Sequence, residues 1–150
     1  MEYTEVSQLP AFYSPVYIGN TERFVCHNND FILSSKPITS LHFHRCLEIG
    51  VCLNGSGICI VDNRLYRYKK GDIQIALPYQ PHLANSDDGQ DSTWIWFSYD
   101  PYKLTANDDI GNRIATIIEK QVDFSGVFSP DEHPELTTII NKCIAETQNG

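Results

Sequence analysis

The sequence of 150 residues contains no long apolar run and few basic residues. None of its apolar stretches approaches the roughly 18 residues that cross a bilayer, so no membrane partner is expected. Its 11 Lys and Arg residues stand against 19 Asp and Glu residues, which gives a formal net charge of −8. Because contact with phosphates needs a clustered basic surface, the chain is not expected to bind DNA by itself.

Signals for secretion and for a zinc knuckle are also missing. The N-terminus carries Glu2 and Glu5 where a signal peptide would carry basic residues, which predicts a cytoplasmic protein. The cysteines are odd in number and show no CxxC spacing, so reduced and mostly buried thiols are expected. They are Cys26, Cys46, Cys52, Cys59 and Cys143.

Up to Pro101 the sequence consists of short apolar runs separated by turn-forming residues, among them Asn28–Asp30, Asp62-Asn63 and the polar loop Asn85–Ser92. About eight short strands at regular spacing predict an all-β sandwich or a small barrel. The predicted strands are Val16–Gly19, Arg23–His27, Phe31–Ser34, His42–Leu53, Ile58–Val61, Leu65–Tyr68, Ile73–Leu77 and Thr93–Tyr99.

Beyond Pro101 the apolar residues follow a helical period. One helix face is predicted from Ile110, Ile114, Ile117 and Ile118. A second helix is predicted to start at Pro134, and its apolar face is formed by Leu136, Ile139, Ile140, Cys143 and Ile144. A helix face of this kind either caps the β domain or pairs with a second copy, and we expect dimerisation through the second helix. The chain thus divides into a β domain, 1–103, and a helical region, 104–150.

The most informative polar residues are three histidines and a glutamate. His42 and His44 lie two apart in a predicted strand and project to one face, which Glu48 shares if the chain stays extended. A later antiparallel strand would bring His82 back to them. Three interpretations remain open: a polar network that lines a ligand pocket, a bound divalent ion such as Zn, Fe, Mn or Ni, and a catalytic metal. Arg45, at the opposite parity, is expected on a solvated face rather than on a ligand.

Trp94 and Trp96 share one face of a predicted strand, and Ile95 and Phe97 share the other. One interpretation is that both indoles are core packing. The other is that Trp96, with Trp94 as a second candidate, faces the lumen and binds ligand. A flat indole would stack on the apolar C–H face of a sugar ring, while nearby His or Glu side chains would bind the hydroxyls.

The order and spacing of these motifs resemble the cupin superfamily and, within it, the N-terminal effector-binding domain of AraC-type transcriptional regulators. The resemblance lies in HFHRCLEIGVCLNGSG, YRYKKGDIQIALPYQPH and TWIWFSYDP. It implies a mainly β fold, a cupin-like jelly-roll barrel, followed by two C-terminal amphipathic helices that fit the dimerisation region of the family. The sequence departs from the cupin metal motif at Lys36, where Gly is usual, and in the short loop Pro78–His82.

By this resemblance the domain senses a small polar effector such as a sugar, requires no cofactor and is not an enzyme. A Trp near position 96 contacts the sugar in sugar-responsive members, and an N-terminal arm can close over the effector. The arm here contains Tyr3, Phe12, Tyr13 and Tyr17. DNA is bound by separate helix-turn-helix motifs, which these 150 residues do not contain. We therefore expect a homodimeric sensor domain of a longer protein.

Two other classes of function are compared with this expectation. A small metal-dependent cupin enzyme, an oxygenase or isomerase, would use His42, His44, Glu48 and His82 as metal ligands and keep open positions for substrate. Against it, the sequence offers no general acid or base apart from those four groups. A pure dimerisation module would leave the polar line of His42, His44 and Glu48 unexplained.

Overall fold

The computed structural model describes residues 1–20, 22, 24–104, 116, 120 and 124–149. In these residues most of the regular structure is β. The strands are β1 (Thr4–Glu5), β2 (Ala11–Tyr13), β3 (Phe24–Ser34), β4 (Leu41–Phe43), β5 (Leu47–Asn54), β6 (Ser56–Val61), β7 (Arg64–Lys69), β8 (Ile73–Ala76), β9 (His82–Ser86), β10 (Asp91–Tyr99) and β11 (Gly126–Phe128). The helices are α1 (Pro101–Leu104) and α2 (Pro134–Asn149).

Eight consecutive strands, β3 to β10, form two facing sheets. The first four pair with the last four in reverse order, β3 with β10, β4 with β9, β5 with β8 and β6 with β7, and every pair is antiparallel. The sheet orders are β8-β5-β10-β3 and β7-β6-β9-β4, extended at their edges by β11, β1 and β2. A long antiparallel ribbon rolled in this way is the double-sheet jelly roll, as predicted.

The hairpin between β6 and β7 turns where the sequence predicts a turn. Asp62 and Asn63 have φ values of 49° and 62°. Two successive residues with positive φ form the type I′ turn, whose twist matches that of antiparallel strands. Local turn chemistry therefore sets the register at the tip of the ribbon.

Two apolar clusters lie on opposite sides of the five-stranded sheet, and side-chain alternation along β10 assigns its residues to them. Trp94 and Trp96 belong to the cluster between the two sheets. Ile95 and Phe97 belong to the cluster on the outer face, which Ile140 of α2 covers. The alternation predicted for this strand is confirmed.

Several predicted strand boundaries are wrong. The predicted strand His42–Leu53 is interrupted at residues 44–46, where the chain crosses from one sheet to the other. The predicted turn Asn28–Asp30 lies inside β3, where three residues of β3 stand opposite one of β10 and the ladder is irregular. β9 occupies part of the predicted loop Asn85–Ser92, and Val16–Gly19 is not a strand. Within β3 and β9, pairing with a distant strand overrides the local preference for a turn or loop.

One of the two predicted C-terminal helices is found among the described residues. It is α2, and it begins at Pro134 as predicted. Ile110, Ile114, Ile117 and Ile118, which predicted the other helix, lie outside the described residues. The strand β11 between the two helical patterns was not predicted; it pairs with β8 at the sheet edge. The division of the chain near residue 103 stays a prediction.

In the described part of the chain, no helix has the length and apolar character that crossing a membrane requires.

Candidate functional site

A cavity of about 360 Å³ lies between the two sheets. Apolar side chains form much of its wall, and polar side chains gather at one side. The apolar group includes Val16, Phe31, Leu33, Leu83 and Ala84. The polar group includes His42, His44, Glu48, Gln74 and His82, and Trp96 also lines the cavity. Its volume and mixed lining are typical of sites for small molecules.

The jelly-roll pairing brings the three histidines and the glutamate together. His42 on β4 and His82 on β9 are register partners, and their ring centroids lie 4.5 Å apart. Glu48 comes from β5 in the facing sheet, and His44 lies in the crossover between β4 and β5. Their nitrogen and oxygen ligand atoms all lie within 4.8 Å of one another. The four residues thus converge, although by a crossover and not by an extended strand.

Hydrogen bonds fix the orientation of two imidazole rings around Glu48. Nε2 of His82 lies 3.0 Å from one carboxylate oxygen, and Nε2 of His44 lies 3.3 Å from the other. Nδ1 of His82 donates to the carbonyl of Gln80 at 2.8 Å, and Nδ1 of His44 donates to that of Ser14. Because a carbonyl only accepts, each Nδ1 carries the hydrogen. Contact between Nε2 and the carboxylate then needs a second proton on the ring or a cation between them.

The surroundings of His42 and His44 shift the pKa values of these two neighbouring histidines in opposite directions. Burial opposes ionisation of Glu48, but hydrogen bonds from His44 and His82 hold the pKa of its carboxyl far below the ordinary value. Burial likewise opposes protonation of His44, yet its hydrogen bonds to Glu48 and Ser14 raise its pKa. Burial, together with the charges of His82 and His44, lowers the pKa of His42 to about 4. His42 is therefore the neutral member at pH 7.

The donor set also fits a divalent metal ion. Three imidazoles and one carboxylate suit Zn, Fe, Mn or Ni, and all four groups are buried or half-buried. In metal sites a ligating His commonly donates its other ring nitrogen to a carbonyl, which orients the free lone pair toward the ion. His44 and His82 have this arrangement.

Comparison with known families identifies the chain. The model of the AraC-like ligand binding domain matches residues 34–147, more than half of the sequence. The chain belongs to the AraC-like ligand binding domain family. The resemblance inferred from the motifs is confirmed. No curated protein has a significant sequence match to the chain.

Solved structures similar to this AraC-like ligand binding domain include several cupins. A cupin 2 conserved barrel domain protein from Rhodopseudomonas palustris has 16% identity over 69% of this chain and 75% of its own, with a TM-score of 0.46. A cupin protein from Bacteroides fragilis has 15% identity over 58% and 83%, with a TM-score of 0.42. A mutant of Bacillus subtilis oxalate decarboxylase has 12% identity over 73% and 34%, with a TM-score of 0.44.

The two tryptophans of the AraC-like ligand binding domain have different positions. Trp96 lines the cavity, whereas Trp94 does not. Trp94 is fully buried, its Nε1 donates to Oγ of Ser92 at 3.0 Å, and its ring stacks on Trp96 with centroids 4.9 Å apart. The expectation that Trp94 could face the lumen is therefore corrected: its ring packs behind Trp96.

The N-terminal arm contributes to the cavity wall. β2 pairs in parallel with β4, and Phe12 is the register partner of His42. Phe12, Ser14 and Val16 line the cavity, so the arm already covers one side of it. Further closure of the arm over a bound effector remains a prediction. Arg45 is exposed and is not among the residues that line the cavity.

The apolar face predicted for dimerisation contacts the sheet of the same chain. Ile140 is buried, and Leu136 and Ile144 pack against the same outer cluster. Cys143 is half-buried, and Ile139 is 58% exposed. Dimerisation stays a prediction, but Ile140 is not free to contact a partner in this arrangement, since the sheet covers it.

Sequence reasoning missed Gln74, which lies on β8 and lines the cavity at 1% exposure. The sequence does contain a signal for this residue, since Gln74 is a single amide within the otherwise apolar run Ile73–Ala76. Because Ile73 and Ile75 belong to the outer cluster, the residue between them faces the interior of the sandwich.

Proposed function

We propose that this domain senses a small polar effector of the carbohydrate class in the cavity between its sheets. The observation that carries the proposal is the pairing of one indole ring, Trp96, with a cluster of polar side chains on the walls of one cavity. A sugar ring presents both an apolar face and a rim of hydroxyls, and this lining offers a partner for each.

The state of His42 supports an uncharged, hydroxyl-bearing effector. With a pKa of about 4 it is neutral at pH 7, so one ring nitrogen donates and the other accepts. A hydroxyl group can also do both. The oxygens of Glu48 already face His44 and His82, so these three residues hold the wall in place beside His42.

The proposed output is regulation of transcription and not catalysis. In a dimeric regulator the effector shifts the arrangement of attached DNA-binding motifs only if it binds one arrangement better than the other. The dimer then fixes the spacing of two DNA half-sites. We place the helix-turn-helix motifs elsewhere in a longer cytoplasmic protein.

Tryptophan fluorescence tests the effector site directly, because the chain has two tryptophans. In Trp94→Phe the remaining indole is Trp96, and neutral sugars that bind the cavity should change its emission and raise Tm. In the matched variant Trp96→Phe the remaining indole is buried behind the site, and its emission should not respond. A broad panel of neutral sugars that changes neither emission nor Tm of the unmodified chain contradicts the carbohydrate proposal.

A second candidate function is a small metal-dependent enzyme. The observation that favours it is the pair of Nδ1–carbonyl hydrogen bonds that direct Nε2 of His44 and His82 toward Glu48. His42, His44, Glu48 and His82 would hold the ion. A bound divalent ion would supply Lewis-acid polarisation of substrate oxygens or a more acidic water.

Elemental analysis separates the two candidates. Near-stoichiometric Fe, Mn, Ni or Zn in the purified chain that is lost in His82→Ala would favour the metal site. His133→Ala is the matched control, because His133 packs against Phe128 outside the cavity and its loss should leave metal content unchanged. Folded protein without metal that still responds to a neutral sugar favours the sensor.

A further inference from the structure

Three buried polar atoms, carried by two residues that line the cavity, have no hydrogen-bond partner among the described residues. They are Oε1 and Nε2 of Gln74 and Nε1 of Trp96. Gln74 is 1% exposed and Trp96 is 9% exposed. Because an unsatisfied buried polar group destabilises the fold, such groups are rare and each calls for an explanation, of which a bound molecule is one.

The two side chains come from strands that flank one glycine. Gly50 on β5 is the register partner of Gln74 on β8 and of Trp96 on β10. The three residues therefore lie in one row across the inner face of the sheet. Since Gly50 has no side chain, the row leaves space that the Trp96 ring occupies. Carboxamide and indole are thus held by three adjacent strands and not by a loop.

Gln80 is a glutamine of the same chain whose carboxamide has a structural role, and it serves as a comparison for Gln74. Its Oε1 accepts from the backbone N–H of Leu77 at 3.0 Å, and its Nε2 donates to Oγ of Ser125 at 2.8 Å. Gln74 has the same donors and acceptor, faces the cavity, and uses none of them within the described chain. The contrast assigns Gln74 to a ligand.

The chemistry of the three atoms selects the type of ligand group. The carboxamide offers one acceptor and one donor group, and the indole N–H only donates. No Lys or Arg is among the described residues that line the cavity, and His44 and His82 are already paired with the carboxylate of Glu48. A carboxylate placed at these atoms only accepts, so it would also leave Oε1 of Gln74 without a donor. Hydroxyl groups donate as well as accept, and two of them can satisfy all three atoms.

We propose that Gln74 and Trp96 form a specificity subsite that selects an uncharged effector through neighbouring hydroxyl groups. The inference rests on the proposed sensing function and adds the residues that choose among effectors. It predicts that the domain discriminates against sugar acids, which carry a carboxylate in place of a hydroxymethyl group.

The first arm of the test needs no ligand. Gln74→Met and Gln80→Met remove the same carboxamide, from a buried position and from a half-buried one. Gln80→Met loses two hydrogen bonds and should lower Tm by about 2–4 °C or more. Gln74→Met should leave Tm unchanged or raise it, since it removes unsatisfied atoms. A fall in Tm equal to that of Gln80→Met would mean that Gln74 has a structural partner and would overturn the proposal.

The second arm uses D-glucose and D-galactose together with the uronates that match them, D-glucuronate and D-galacturonate. For a neutral sugar that binds the unmodified chain, Gln74→Met should weaken binding at least tenfold, and the matching uronate should bind at least tenfold more weakly. Gln90→Met, on an exposed turn, should bind as the unmodified chain does. Equal binding by Gln74→Met, or preference for the uronate, overturns the subsite while the sensing function stands. No response of the unmodified chain to any sugar instead contradicts the carbohydrate proposal and, with it, this ligand assignment.

Discussion

The indole ring of Trp96 lies directly over the backbone of Gly50. The two residues are register partners in the ladder between β10 and β5. A Cβ added to Gly50 would lie 2.1 Å from Cζ3 of Trp96, far inside van der Waals contact. The position of the ring in the cavity wall therefore depends on a residue without a side chain.

Gly50→Ala should displace the Trp96 ring. The added methyl group overpacks the interior, so we expect the free energy of unfolding to fall by about 1–3 kcal/mol in urea titrations. Effector binding should weaken at the same time. The double variant Gly50→Ala with Trp96→Phe should recover part of the lost stability, because the smaller ring relieves the contact. Simple additivity of the two changes would contradict this explanation.

His42 should make the protein less stable in acid. Its pKa is about 4 in the folded state and about 6.5 in the unfolded state. Between these values the unfolded chain holds a proton that the folded chain does not, so stability falls as pH falls from 6.5 to 4. In His42→Gln this decline should shrink by about 1–2 kcal/mol between pH 6.5 and 4.5, as measured by urea unfolding. An unchanged acid slope would argue that His42 is not desolvated.

His44 should have the opposite effect. The pKa of His44 is higher in the folded state than in the unfolded state. The stability that protonated His44 contributes is therefore fully present below pH 6.5 and is lost as pH rises through the folded pKa. Glu48 stays ionised throughout this range, because its pKa is strongly lowered. The stability difference between the unmodified chain and His44→Gln should therefore narrow from pH 6 to pH 9. A difference that widens over that range would refute the ion pair with Glu48.

Neighbouring isoleucines of α2 should respond differently to truncation. Ile140 is 5% exposed against the sheet, so Ile140→Ala should cost about 2–4 kcal/mol in unfolding free energy. Ile139 is 58% exposed, so Ile139→Ala should change stability by no more than about 0.5 kcal/mol. Light scattering of a third variant, Ile139→Asp, then tests the predicted dimer. If the exposed face forms the interface, Ile139→Asp should yield monomers that remain folded.

Three of the five thiols should be unreactive in the native protein. Burial raises the pKa of Cys46 to about 11, that of Cys52 to about 12 and that of Cys59 well above its ordinary value. Because the thiolate is the reactive form, an aromatic disulfide reagent at pH 8 should modify at most two thiols. All five should react in urea. The double variant Cys26→Ser with Cys143→Ser retains only the three buried thiols, so in its native state it should not react. Any reaction of the native double variant would contradict the burial of Cys46, Cys52 and Cys59.

Features that depend on residues adjacent in the chain could be predicted from the sequence. Turn chemistry at Asp62-Asn63 and side-chain alternation at Trp94–Phe97 were both predicted, since each follows from local backbone geometry. The motif order also led to the AraC-like family, which the family model confirms. The residue types of the polar cluster and the return of His82 on a later antiparallel strand could also be inferred from the sequence; that this strand pairs with the strand of His42 is a finding of the structure.

Which side chains contact one another could not be predicted in the same way, because it depends on the packing of the two sheets. Glu48 reaches the histidines because the chain crosses between sheets at residues 44–46, a change of direction that no local pattern signals. The same packing places Trp96 in the cavity, Trp94 behind it and Gln74 beside both, and turns Ile140 toward the sheet of its own chain. Parity along a strand assigns a residue to a face; what lies opposite that face depends on strands far away in the sequence, and therefore on how the whole ribbon rolls up.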